Sequence, residues 1–138
     1  MAHDIGKLLK LLNDRLKTSA DASLKESGLT LSQTRVLEFI HVQGERTTQK
    51  EIEDYLEVSH PTVAGIISRL EKNGFLSCYL DPNNKRSKIV CNTEKARALS
   101  AFMMEEMKRT EQMLTTGLTG EEVGELRRML QIMYGNIK

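Results

Sequence analysis

Apolar residues recur at spacings of three and four at both ends of the chain. Ile5, Leu8, Leu9, Leu12 and Leu16 form one stripe, and Val123, Leu126, Leu130, Met133 and Ile137 form another. That is the period of an amphipathic helix, about 3.6 residues per turn. The first stripe predicts a helix over residues 2–26, stopped by Ser27-Gly28. The second is opened by Thr119-Gly-Glu-Glu122, in which the Thr side chain caps the helix and Glu122 reaches back to the cap. Over residues 93–117, Ala96, Leu99, Phe102, Met103, Met107 and Leu114 predict a third long helix.

The middle of the chain is built from shorter units. Thr30-Leu-Ser-Gln33 reads as a capping box before a helix with Val36, Leu37 and Ile40 inward. Thr48-Gln-Lys-Glu51 opens another, with Ile52, Tyr55 and Leu56 inward, and Glu57-Val58 makes a tight turn. Ser59 then caps a helix beginning His60-Pro61, since proline fits a first turn whose amides have no partner within the helix. Its inward stripe is Val63, Ile66, Ile67 and Leu70, and Asn73-Gly74 ends it. After Gly74 the period shortens. Residues 75–80 and 87–91 read as strands around the turn-rich Asp81-Pro-Asn-Asn-Lys-Arg86, a hairpin with an exposed basic tip. The expected fold is mainly α with a small β-hairpin: a winged helix-turn-helix with long N- and C-terminal helices. The expected organisation is a single domain over 1–138, with a head at 30–92 and outer helices at 1–28 and 93–138.

Composition adds limits. Of the 138 residues, 39% are hydrophobic and 28% charged, as in an ordinary globular chain large enough for a core. There is no apolar run of the roughly 18 residues that span a bilayer and no signal-peptide pattern, so the expected setting is the cytoplasm, with no membrane partner. The net charge is only +1, but residues 69–97 hold seven Lys or Arg against three acids. A basic segment inside a neutral chain is the footprint of a phosphate-binding face. Aromatics are few, which favours duplex DNA over single strands that need stacking platforms.

The helix-turn-helix order assigns the recognition residues. A helix fits the major groove and reads bases from its first turns. Here these turns carry Ser59, His60, Pro61, Thr62 and Gly65, with Ser68, Arg69 and Lys72 further along. The hairpin tip, Lys85-Arg86, places Arg86 for the adjacent minor groove, with Lys88 nearer a phosphate. No catalytic cluster, cofactor motif or paired metal-ligand spacing stands out, so no enzyme, cofactor or metal is expected. Cys78 and Cys91 lie on the two hairpin strands. With an even-length loop they are expected on one side of it as inert thiols.

From Leu29 to Leu99 the chain resembles the MarR family of multiple-antibiotic-resistance-type regulators. The resemblance rests on Leu29-Thr30-Leu-Ser-Gln33, on Val58-Ser59-His-Pro-Thr62-Val63 followed by Arg69-Leu70-Glu71-Lys72-Asn-Gly74, and on Asp81-Pro82-Asn-Asn-Lys-Arg86. It departs from the pattern at Gly65, a frequent Arg, at Asn84, a usual Asp, and at Cys78 and Tyr79, where basic residues are common. The resemblance implies a homodimer held by Ile5, Leu8, Leu9, Leu12, Val123, Leu126, Leu130, Met133 and Ile137. It further implies a pseudo-palindromic operator, a repressor role, and release by a small anionic or aromatic effector. Met103, Met104, Met107 and Met113 are candidate pocket residues. The competing reading is a winged-helix dimerisation or protein-interaction module with weak or no sequence-specific DNA binding.

Overall fold

The structure, a computed structural model, describes residues 2–137. In chain order it runs α1 (Ile5–Leu24), a 3₁₀ turn (Lys25–Ser27), α2 (Leu31–Val42), β1 (Arg46–Thr48), α3 (Gln49–Leu56), α4 (His60–Lys72), β2 (Leu76–Asp81), β3 (Asn84–Asn92), α5 (Glu94–Ala98), α6 (Ser100–Leu114) and α7 (Gly120–Asn136). The chain forms two compact units that divide after Glu106, within α6.

The caps act as their residue types dictate. Full capping boxes form at Thr30/Gln33 and Thr119/Glu122. At α3 only half a box forms. Thr48 accepts from the Glu51 N–H, but the Glu51 carboxylate turns to Thr47 Oγ1 at 2.9 Å. The turn before α4 is set by Glu57, a non-glycine residue in the left-handed region at φ 56°. Gly74, at φ 84°, closes α4, where a side chain would be strained.

The helix expected over 93–117 is two helices. Leu99 ends α5 with its N–H turned back to Ala96 and Arg97, and α6 begins at Ser100. The first helix is likewise shorter than expected, with its last residues in the 3₁₀ turn.

The core of the first unit gathers Val36, Leu37 and Ile40 from α2, Ile52 from α3, Val63, Ile67 and Leu70 from α4, and Val90 from β3, all fully buried. Tyr55, expected inward, is half exposed and stacks on Phe39 with ring centroids 4.4 Å apart. A phenol reaching the edge of the core keeps its hydroxyl wet while covering apolar surface.

The sheet has three strands in the order β1-β3-β2, all antiparallel. The hairpin was expected; β1 was not. Arg46, Thr47 and Thr48 carry no apolar alternation, and they become a strand only because β3 offers them a free edge, with Arg46 opposite Cys91 and Thr48 opposite Ile89.

The hairpin itself is tighter than expected. Its loop is Pro82-Asn83, so Lys85 and Arg86 lie on β3 rather than at the tip. Leu80 pairs with Lys88 but Asp81 pairs with Asn84, which leaves three residues of β3 bulged out of register. A two-residue loop without a bulge would put Cys78 and Cys91 on one face. The odd-numbered bulge inverts the parity. Cys78 pairs with Val90 and Cys91 with Ser77, so the two thiols occupy opposite faces.

Candidate nucleic-acid interface

Helix α4 buries one stripe and offers the other to solvent. With Val63, Ile67 and Leu70 locked in the core, Pro61, Thr62, Gly65, Ser68, Arg69 and Lys72 are all exposed. Gly65 is not required by packing, because a Cβ placed there meets nothing within 4 Å. The outer face of α4 is therefore smooth where it is exposed, with its cations in the last turn.

The first turn is built by its cap. Ser59 Oγ accepts the Thr62 N–H at 3.4 Å and lies 2.9 Å from Thr62 Oγ1. Pro61 has no N–H, and the Val63 N–H goes to the Ser59 carbonyl. Of the first-turn amides, the His60 N–H has no partner among the described residues and is left to meet a phosphate. The helix N-terminus thus offers an anion a single free backbone donor among the described residues.

His60 is tied to the preceding helix. Its Nδ1 lies 2.6 Å from Glu53 Oε2 and 3.2 Å from Gln49 Nε2, while the side chain stays 71% exposed. Glu53 and Gln49 were not among the residues singled out from sequence. The signal for them is faint: two polar residues one turn apart on α3, on the side that faces the start of α4.

On the wing, Lys85 and Arg86 are exposed and Lys88 is half-buried. Asn84 Oδ1 accepts the Arg86 backbone N–H at 3.2 Å, so Asn84 shapes the strand and does not brace the guanidinium. Asp81 similarly holds the Asn83 N–H at 2.9 Å. Arg46, also unforeseen because β1 was, donates to the Tyr79 hydroxyl at 3.4 Å. A guanidinium therefore stands beside the wing position where the resemblance led one to expect a basic side chain.

The basic segment separates into two groups. Lys95 bonds the Asn73 carbonyl at 2.8 Å and covers the Phe75 ring, with its ammonium 4.5 Å from the ring centre. Arg97 bonds the Asn92 carbonyl at 2.8 Å. Both hold the junction of α4, β3 and α5 together. Arg69, Lys72, Lys85, Arg86 and Lys88 form no ion pair among the described residues.

Asn92 is buried. Its amide donates to the Leu37 carbonyl at 3.2 Å and to Glu45 at 3.1 Å. Glu45 is also bonded to His41 Nδ1. The His41/Glu45 pair is thus part of the brace between α2 and β3. No group of three or more candidate metal ligands occurs among the described residues.

Of the residues expected at a dimer interface, Ile5, Leu8, Leu9 and Leu12 on α1 are 42–59% exposed. On α7, Leu126 and Leu130 are exposed, Val123 and Met133 are half-buried, and no residue is fully buried; Ile137, expected in the same stripe, lies just past the helix end and is exposed. Met103 is removed from the list of pocket candidates, because it is fully buried in the core of the first unit. Met104 and Met113 remain exposed. No helix among the described residues is long and apolar enough to cross a membrane.

A capped helix pair feeding a three-stranded sheet with a basic hairpin defines a winged helix-turn-helix protein. Residues 27–87 match the MarR family. The uncharacterised HTH-type transcriptional regulator YwoH of Bacillus subtilis is 36% identical over 96 residues, covering 70% of this chain and 66% of that protein. A putative MarR family transcriptional regulator from Listeria monocytogenes, solved in complex with a 26mer DNA, is 26% identical with a TM-score of 0.86, covering 99% of this chain and 90% of that one. The S. aureus MepR–DNA complex shares the fold at a TM-score of 0.93 and 23% identity, covering 99% of this chain and all of that one. The chain belongs to the MarR family of transcriptional regulators.

Proposed function

We propose that the chain is a homodimeric regulator, a repressor in the cytoplasm, that binds a pseudo-palindromic DNA operator and is released by a small anionic or aromatic effector. Helix α4 enters the major groove. There Ser59, His60, Pro61, Thr62, Gly65 and Ser68 face the bases, and Arg69 and Lys72 meet phosphates. The wing lies along the backbone with Arg86 in the adjacent minor groove and Lys85 and Lys88 beside it. It binds and does not catalyse.

The observation that carries this reading is the set of five cations on α4 and β3 that form no ion pair among the described residues, in a segment whose other two cations bond internally. Lys95 and Arg97 spend donors on backbone carbonyls; the other five keep theirs for phosphates. The DNA bound to the similar Listeria regulator supports the same partner. The apolar stripes left open on α1 and on α7 support a second copy as their cover, because exposed patches of this kind mark association surfaces. Met104 and Met113 on α6 offer adaptable apolar surface for an effector.

The second reading, an interaction module with weak DNA binding, draws on Gly65 and on an Arg86 side chain that Asn84 does not brace. Duplex binding measured against salt separates the two. A regulator should lose affinity with a log–log slope of about −0.9 per phosphate contact, and should prefer DNA beside its own gene over a random duplex. Equal affinity for both duplexes favours the interaction module.

A further inference from the structure

We propose that Glu53 and Gln49 are positioning residues that fix which hydrogen-bonding face His60 turns to DNA. The ring presents a lone pair on Nε2, which selects an exocyclic amino group of adenine or cytosine. This inference rests on the reading of α4 as the major-groove helix.

The argument begins with one contact. His60 Nδ1 and Glu53 Oε2 are 2.6 Å apart. Two bare acceptors repel at that distance, so a proton lies between them, and it belongs to Nδ1. Gln49 Nε2 lies 3.2 Å from the same nitrogen and 3.3 Å from Glu53 Oε2. A protonated Nδ1 cannot accept, so the Gln49 amide donates to the carboxylate. Glu53 Oε2 is therefore held by an amide from its own helix and holds the imidazole of the next.

The anchors are well seated. The Glu53 side chain is 13% exposed and Gln49 is 6% exposed, whereas the His60 side chain is 71% exposed. Nε2 has no partner among the described residues. A neutral imidazole carries one N–H, and which nitrogen has it is set by the hydrogen bonds the ring makes, here that of Nδ1 to the Glu53 carboxylate. With the proton on Nδ1, Nε2 is an acceptor.

The major groove then supplies the selectivity. Adenine N6 and cytosine N4 are its donors, while guanine O6 and N7 and thymine O4 are acceptors. An Nε2 lone pair bonds to the first pair and repels the second. His60, at the first position of α4, stands where base edges are reached.

The experiment uses the full chain at pH 8.5. Long-range ¹⁵N correlation of the His60 imidazole is expected to show Nδ1–H and a bare Nε2. In E53A the Nε2–H form, preferred by an imidazole without a partner, takes over. E53Q, whose amide oxygen still accepts, keeps Nδ1–H. Wild-type protein should lose affinity by about fivefold or more when one base pair in each half-site loses its amino group in the register of His60, the low end of what a mismatch costs. H60N retains a donor toward Glu53 but has no Nε2, and should lose that discrimination alone, as should E53A. E53Q and H60N carry the test should E53A not fold.

An unchanged tautomer in E53A overturns the inference, as does unchanged discrimination in H60N. If wild-type His60 carries Nε2–H while duplex binding is specific, this inference falls and the DNA reading stands. If the tautomer is as stated but no duplex outcompetes a random one, the DNA reading falls and the base selection with it.

Discussion

Arg86 and Cys78 show how much one side chain's surroundings decide. The Asn84 amide takes the backbone N–H of Arg86 and leaves its guanidinium unbraced. If that guanidinium enters the minor groove, Arg86→Ala should weaken operator binding by about 1–3 kcal/mol, read by titration of a labelled duplex. Unchanged affinity with an intact fold would make the wing a bystander. Cys78 is governed by burial, with the Glu71 carboxylate adding to it; together they push the thiol up to about 11. Between the ordinary thiol range and that value the folded state keeps a proton that the unfolded state releases. The contribution to stability is complete below the ordinary range and is lost as pH rises through about 11. In a Cys91→Ser background, alkylation of Cys78 should reach half its limiting rate near pH 11 when folded, and near pH 9 in denaturant. Equal midpoints would show a thiol open to water. The two cysteines were legible as wing residues from sequence, but their relative facing was not, because it depends on a bulge that no local pattern announces.

At the level of elements, α4 is the clearest case of residues choosing their own structure. Ser59, Pro61 and the stripe of Val63, Ile67 and Leu70 place its start and its buried face. Gly65 is the exception, since neither backbone nor packing calls for it. Gly65→Arg should therefore fold, and should raise stability by up to about 1 kcal/mol through helix propensity alone. If α4 lies in the groove, it should also steepen the salt dependence of binding by about 0.9 for each protomer, about 1.8 for a dimer on its operator. Calorimetry and a salt titration read the two effects separately. A fall in melting temperature would mean that the position is crowded after all. Strand β1 is the opposite case. Its three residues are polar, and Thr47 is buried only because β3 and the Glu51 carboxylate receive it.

For the whole molecule, the open apolar stripes of α1 and of α7 set the expectation of a second copy. Leu130→Asp should place a charge on the exposed stripe of α7, where a dimer would have to desolvate it at a cost of several kcal/mol. Sedimentation should then show a monomer, and operator affinity should fall because one head reads only half a site. A variant that sediments as the wild type does would remove α7 from the interface.

What the sequence determined by itself was most of the helices, though not the break at Leu99, the capping residues, the buried stripes of α2 and α4, the hairpin and the family. These depend on residues within one or two turns of each other, where periodicity and capping chemistry act. Tertiary structure alone decided the third strand, the facing of the two thiols, the burial of Met103, the diversion of Lys95 and Arg97 to internal bonds, and the grip of Glu53 on His60. Each of these joins residues from different elements, and a partner's distance is fixed only when the core has packed them together.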